Sequence, residues 1–216
     1  LVNTPRDYYV PIPTISGDER DKLTHAGIYG VEASIATLEQ LYEMNIDYYS
    51  RVNFTSVVKI VNALGGISVY SNQSFTTGNL TIHEGYNDLN GEQALAYARL
   101  RYIDSDWVRI QRQREIVLSV LESCRGRSFE ELDSLVNSLL PLVQTNIPES
   151  KVAEFMMLLP RMRKAETQQM TIPVEGTYGH MLGMGDRSMF AVDFEANSEI
   201  LQDFLYPQLN ESEESP

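Results

Sequence analysis

Cysteine is all but missing from this chain. Cys124 stands alone in 216 residues, so no internal disulfide can form, which suits a reducing cytoplasm and equally an exported Gram-positive protein. Histidine is nearly as scarce: His25, His83 and His180 lie far apart with no Cys or carboxylate at ligand spacing, which argues against a zinc centre. No stretch approaches the roughly 20 apolar residues of a membrane span. A Walker loop and a Gly-x-Ser-x-Gly elbow are both lacking, which removes the chemistries those motifs carry. Basic residues are few, 17 Lys and Arg against 30 Asp and Glu, and the net charge of -13 sets up a field that repels DNA. A DNA-binding regulator is thereby disfavoured, and no nucleic acid is expected among the partners.

The cations that remain are concentrated. Arg99, Arg101, Arg109, Arg112 and Arg114 fall within sixteen positions. Guanidinium groups bind phosphate bidentately and stay charged when desolvated, so several of them beside an acid and an amide make a phosphate or pyrophosphate site. Asp106 and Gln113 lie in the same run. A hydrophobic content of 43% suffices for one large domain, expected over residues 1–206. The acidic end, residues 207–216, carries too little apolar surface to offset its ordering entropy and is expected to fray. The abrupt opening Leu1-Val2-Asn3-Thr4-Pro5-Arg6-Asp7 reads as the end of a strand and its loop. A longer protein with an upstream membrane anchor is the expectation.

Apolar spacing orders the elements. Val31, Ile35, Leu38 and Tyr42 predict a helix from Val31 to Met44, and Ile46 to Asn53 reads as a strand. Val57, Val58, Ile60, Val61 and Leu64 predict a second helix stopped by Gly65-Gly66, with the β-branched strand Ile67 to Tyr70 after it. Ser71 to Asn90 reads as a hairpin or excursion. Asn90 with Gln93 three residues on resembles a capping box, opening a helix to about Ala98 with Arg99 and Arg101 at or just past its end. Ser105 or Asp106 caps the next helix, with Ile110, Val117, Leu121 and Cys124 as its apolar stripe. Ser128 to Glu131 is another capping box, Pro141 should end that helix, and Pro148 should start one reaching Leu159. Thr167 to Val174 reads as extended, glycines 176 to 185 as a mobile loop, Ser188 to Phe194 as a strand and Ala196 to Leu205 as a helix. This alternation favours layered α/β packing.

Several segments occur in an order with a resemblance of its own: Pro5-Arg6-Asp7; Asp21-Lys22-Leu23-Thr24-His25-Ala26; Asn53-Phe54-Thr55; Leu64-Gly65-Gly66-Ile67; and Leu89 to Arg101 continuing into Ser105-Asp106, Arg109 and Arg112-Gln113. Together they resemble the LytR-CpsA-Psr family of Gram-positive cell-envelope proteins, with wording closest to its streptococcal-type CpsA branch. The resemblance implies a single α-β-α layered domain around a central mixed sheet, with its first strands missing from this chain. It implies an extracellular, membrane-anchored phosphotransferase that moves a capsular or other anionic glycopolymer from a polyprenyl-pyrophosphate carrier to peptidoglycan. It further implies an apolar lipid tunnel and bound Mg, whose ligands would lie upstream of Leu1.

By the same resemblance, Arg6, Lys22, Arg99, Arg101, Arg109 and Gln113 line the pyrophosphate site, with Arg99, Arg101 and Asp106 catalytic. Arg99 and Arg101 otherwise answer the negative end of a helix. Asp106 either orients an arginine, ligates a metal or accepts a proton, and can also be an N-cap paired with Arg109. Gln113 either donates to a phosphate oxygen or is solvated, and Lys22 is a phosphate contact or a surface lysine. His25 reads as a hydrogen-bonded structural residue, and of Arg112 and Arg114 at least one is expected on the surface. Val52, Phe54 and their apolar neighbours read as core. A non-catalytic polyprenyl-phosphate-binding or regulatory module is the competing reading.

Overall fold

The computed structural model describes residues 1–13, 19–100, 106–158, 165–182 and 188–207, and its elements alternate between short strands and helices. The chain opens with strands β1 (Val2–Asn3), β2 (Tyr9–Pro11) and β3 (Arg20–Lys22), then helices α1 (Leu23–Ala26) and α2 (Val31–Tyr42). The middle holds β4 (Ser50–Arg51), α3 (Phe54–Ala63), β5 (Ile67–Ser71), β6 (Phe75–Thr77), β7 (Leu80–Ile82), β8 (Gly85–Leu89), α4 (Gly91–Arg99), α5 (Asp106–Arg125), α6 (Phe129–Leu139), β9 (Gln144–Thr145) and α7 (Glu149–Leu158). Strands β10 (Met170–Thr171), β11 (Tyr178–Leu182) and β12 (Ser188–Val192) and helix α8 (Phe194–Leu205) follow. Contacts divide the chain into two compact units, Leu1–Asp47 with Thr167–Pro216, and Tyr48–Glu166.

The first unit joins the two ends of the chain in a mixed set of strand pairs. β1 runs parallel to β10, β2 pairs antiparallel with β3, and β11 pairs antiparallel with β12. A parallel bridge from Tyr8 to Phe190 links β12 to the start of β2. Tyr8, Val10, Ile12 and Ile172 are fully enclosed, and α2 packs on α8, where Ser198 Oγ donates to the Tyr42 carbonyl at 2.9 Å. Asp193 caps α8 by accepting from the Ala196 N–H at 3.1 Å, which satisfies one orphan donor of the first turn. Gly179 lies inside β11 rather than in a mobile loop, because each of Tyr178 to Leu182 finds a partner on β12. Between Thr167 and Val174 only Met170–Thr171 is strand, these being the residues that pair with β1.

The second unit has one main core: Val61 and Leu64 of the α3 end, Ile67 and Val69 of β5, Leu80 and Ile82 of β7, Leu89 of β8, Ala94 and Tyr97 of α4, Ile116 of α5 and Leu135 of α6. Burial of side chains of this size stabilises by roughly 1.5–3 kcal/mol each. The expected capping boxes at Asn90–Gln93 and Ser128–Glu131 are both present with reciprocal hydrogen bonds. Pro141 sits in a 3-10 turn directly after α6, and α7 begins just after Pro148. Three expectations fail here. The strand over Ile46 to Asn53 shrinks to Ser50–Arg51, paired only with β9, because Asn53 turns to cap α3 through the Ser56 N–H. The apolar side of α5 is rotated: Ile110, Ile116, Val120 and Cys124 face inward, whereas Val117 and Leu121 are exposed. Val52 and Phe54 are likewise exposed, since they stand before and at the start of α3.

Candidate functional site

In the first unit, Arg6 and Lys22 meet on one carboxylate. The antiparallel β2–β3 pair puts Lys22 opposite Tyr9, and the Leu23 and Thr24 amides donate to the carbonyls of Tyr8 and Arg6 at 2.8 and 2.9 Å. That register brings Lys22 Nζ to 2.8 Å from Asp7 Oδ1, while Arg6 Nε lies 3.6 Å from Asp7 Oδ2. Lys22 and Asp7 are largely enclosed, with 14% and 15% of their side chains exposed, but Arg6 keeps 51% of its side chain in solvent. Asp7 therefore pairs closely with the lysine, while the arginine, at the longer distance, keeps half of its side chain in solvent. Beside it, Asp21 accepts from the Lys22 amide at 2.7 Å and holds His25 Nδ1 at 2.7 Å. His25 is thus the hydrogen-bonded residue expected from the sequence. The Asp of the Pro-Arg-Asp motif takes its role from Lys22, a partner fifteen residues away that sequence proximity does not reveal.

In the second unit, Arg99 closes α4 and is exposed, and its guanidinium lies 4.7 Å above the Phe54 ring at the start of α3. A guanidinium on an aromatic face is held flat by the ring quadrupole, with its edge N–H groups turned outward. Arg109 and Gln113 stand four residues apart on α5, and Gln113 Nε2 donates to the Ala98 carbonyl at 3.3 Å. Gln113 is thereby tied to the last turn of α4, one residue from Arg99, and its other amide hydrogen remains for a ligand. Arg101 lies outside the described residues, as does the side chain of Asp106, the residue with which α5 begins.

Of the pair Arg112 and Arg114, Arg112 is the enclosed one. It is 4% exposed, with its guanidinium 5.7 Å from the Tyr97 ring and 5.9 Å from the Phe75 ring. Its Nη1 donates to the Leu100 carbonyl at 3.2 Å, on the residue that caps α4. Tyr97 in turn donates to Glu115 Oε2 at 2.9 Å. Burial pushes the Glu115 carboxyl above its ordinary range, against the opposing pull of the Tyr97 hydrogen bond and the nearby Arg114 and Arg112 charges. Burial raises the Tyr97 phenol as well, reinforced by Glu115. Arg112 thus fixes the end of the helix that carries Arg99. Only its spacing of four and eight residues from Ile116 and Val120, on the inner face of α5, could have indicated this.

Among the described residues no group of three His, Cys, Asp or Glu side chains is placed to hold a metal ion. The magnesium implied by the family resemblance therefore has no ligand set among them. No helix among them is long and apolar enough to cross a membrane.

This mixed α/β chain displays an arginine and an amide side chain around the end of one helix. The family model of LytR_cpsA_psr matches residues 1–203, and the chain belongs to that family. It is 30% identical over 181 residues to the polyisoprenyl-teichoic acid–peptidoglycan teichoic acid transferase TagT of Bacillus subtilis, covering 79% of this chain and 55% of that protein. It is 32% identical to the corresponding TagU of Bacillus mycoides, covering 81% of this chain and 58% of that protein. The chain thus spans little more than half the length of these relatives. Among solved structures it resembles TagT bound to LIIa-WTA, with a TM-score of 0.74 at 26% identity over 97% of this chain and 78% of that one. B. subtilis TagV shares the fold, with a TM-score of 0.82 at 24% identity over 94% and 82% of the two chains.

Proposed function

We propose that this protein is a phosphotransferase that joins an anionic glycopolymer, delivered on a polyprenyl-pyrophosphate carrier, to peptidoglycan at the outer face of the cell membrane. The observation that carries the reading is the exposed Arg99 guanidinium laid on Phe54, with Gln113 tied to the same helix end. The relatives named above as teichoic acid transferases support the transfer class.

The chemistry asked of these residues is electrostatic. Breaking a phosphoanhydride places charge on the bridging and non-bridging oxygens, and fixed cations that meet that charge lower the barrier. Arg99, Arg101 and Arg109 are assigned to the oxygens, with Gln113 donating its free amide hydrogen. Arg6 supplies a further cation and Lys22, through Asp7, fixes the segment that carries it. Asp106 is assigned to the proton of the incoming sugar hydroxyl. Bound Mg, expected from the family resemblance, would add to the charge stabilisation assigned to these cations. Capsular polymer is the expected cargo, and cleavage of the pyrophosphate by water a side reaction.

The test is a transfer assay: a lipid-pyrophosphate-linked oligosaccharide and uncrosslinked glycan strands are incubated with the protein, and label in the glycan is followed. Arg99→Ala should abolish transfer while the fold persists. Wild-type protein that neither transfers the label nor releases the lipid phosphate would refute the reading.

A further inference from the structure

A second polar site lies in the Tyr48–Glu166 unit, at the turn between α3 and β5. Gly65 and Gly66 there adopt φ of +86° and +106°, conformations that favour glycine, and a Cβ on Gly65 would meet nothing within 4 Å. Without side chains at this turn, an open groove of about 720 Å³ runs between it and the start of α4. That size is typical of a small-molecule or oligosaccharide site.

Three amide side chains line the groove, and in each the oxygen is already used. Asn62 Oδ1 accepts from the Gly91 N–H at 2.8 Å, Asn90 Oδ1 from the Gln93 N–H at 3.0 Å, and Gln93 Oε1 from the Asn90 N–H at 3.0 Å. Since a backbone N–H must face an oxygen, these bonds fix which end of each amide is nitrogen. Three NH2 groups are left over, none with a hydrogen-bond partner among the described residues. The lining also holds a carboxylate acceptor, the exposed Asp88, directly across the β5–β8 register from Ser68.

The same sheet face continues into an aromatic pair. Tyr70 and Tyr86 are cross-strand partners two residues along from Ser68 and Asp88, about 7 Å away at strand spacing. Their rings meet edge to face at 5.2 Å, with 48% and 79% of each residue exposed. Arg127 approaches the groove but donates to the carbonyls of Leu64 and Ser123 at 2.9 and 3.2 Å. Asp88 is the charged side chain of the lining.

We propose that this strip binds an uncharged, N-acetylated glycan, and so holds the peptidoglycan strand that accepts the polymer; that last role rests on the transferase reading. Amide NH2 groups meet acetamido carbonyls and ring hydroxyl oxygens, Asp88 accepts from hydroxyls, and the tyrosine faces cover the apolar side of a pyranose. The anionic polymer is the wrong occupant, because a groove whose charge is a carboxylate repels phosphodiesters.

Calorimetric titration with chitotetraose tests the proposal. Wild-type protein should bind it, Tyr86→Ala and Asp88→Ala should each weaken binding by about five- to tenfold, and Arg99→Ala should leave it unchanged. Poly(glycerol phosphate) should not displace the sugar. No binding at about 10 mM sugar, binding equal in all three variants, or displacement by the polyanion would overturn it. Pyrophosphate titration keeps the two sites separate: no pyrophosphate binding by the wild-type protein, with sugar binding intact, counts against the phosphate site alone.

Discussion

Lys22 Nζ rests 2.8 Å from Asp7 Oδ1 with both side chains about 85% enclosed, so the pair joins the Pro-Arg-Asp segment to β3 as an internal ion pair. Removing one partner leaves a charge with nothing opposite it. Asp7→Asn should destabilise the protein by about 3 kcal/mol, and Asp7→Leu with Lys22→Met should recover most of that loss. Urea denaturation of the single and double variants measures both values, and equal destabilisation in the two would contradict the pairing.

Arg112 is held by geometry as much as by charge. Arg112→Lys keeps the charge but loses the planar stacking on Tyr97 and Phe75, and its flexible ammonium reaches the Leu100 carbonyl less well. A loss of at least about 1 kcal/mol is expected for lysine, and about 3 kcal/mol for leucine, which leaves the Leu100 carbonyl without this donor and removes one of the charges near Glu115. Thermal unfolding of the two variants gives the order.

Glu115 provides a pH signature with a definite sign. Its carboxyl titrates above its ordinary value of 4.5 in the folded chain, so the native state holds the proton more tightly than the unfolded one. The stabilising contribution of the protonated form is complete below pH 4.5 and is lost as pH rises through the folded value. Wild-type protein should therefore lose stability relative to Glu115→Gln between acidic and neutral pH. Paired denaturation curves on each side of this window check it, and a constant difference would be incompatible with the raised value.

Phe54 offers a way to separate binding from folding. It is 59% exposed, so Phe54→Ala should cost little stability, yet it takes away the surface on which Arg99 lies. Loss of a cation–π contact of about 0.5–1 kcal/mol predicts pyrophosphate binding weaker by roughly two- to fivefold. Calorimetry on folded variant protein reads this directly.

Gly91 marks a close approach of two helices. A methyl group there would run into the Val58 carbonyl and Cα of α3, both of them backbone atoms that cannot swing aside. Gly91→Ala should destabilise by about 3 kcal/mol although alanine is the better helix former. A neutral or stabilising outcome in thermal unfolding would contradict this packing.

Much of the architecture could be read from local signals. The two capping boxes, the double-glycine stop and the proline boundaries act within a few residues, so Asn90, Ser128, Gly65 and Pro141 each lie where the sequence placed an element's end. Arg99 stands at the end of α4, where the capping box and a helix to about Ala98 put it. Elements that depend on a partner were less legible. β4 keeps only the two residues that β9 pairs with, and β11 forms across a glycine because β12 lies alongside.

The sequence by itself determined the α/β class, the family and the set of cations, since period, caps and motif order are properties of the chain. Tertiary structure alone decided which cations are buried and which stay open to an anion. Arg112 and Arg99 have the same chemistry, but one is enclosed by Phe75 and Tyr97 and the other lies in solvent on Phe54, because helices α3, α4 and α5 pack with only one of them turned inward.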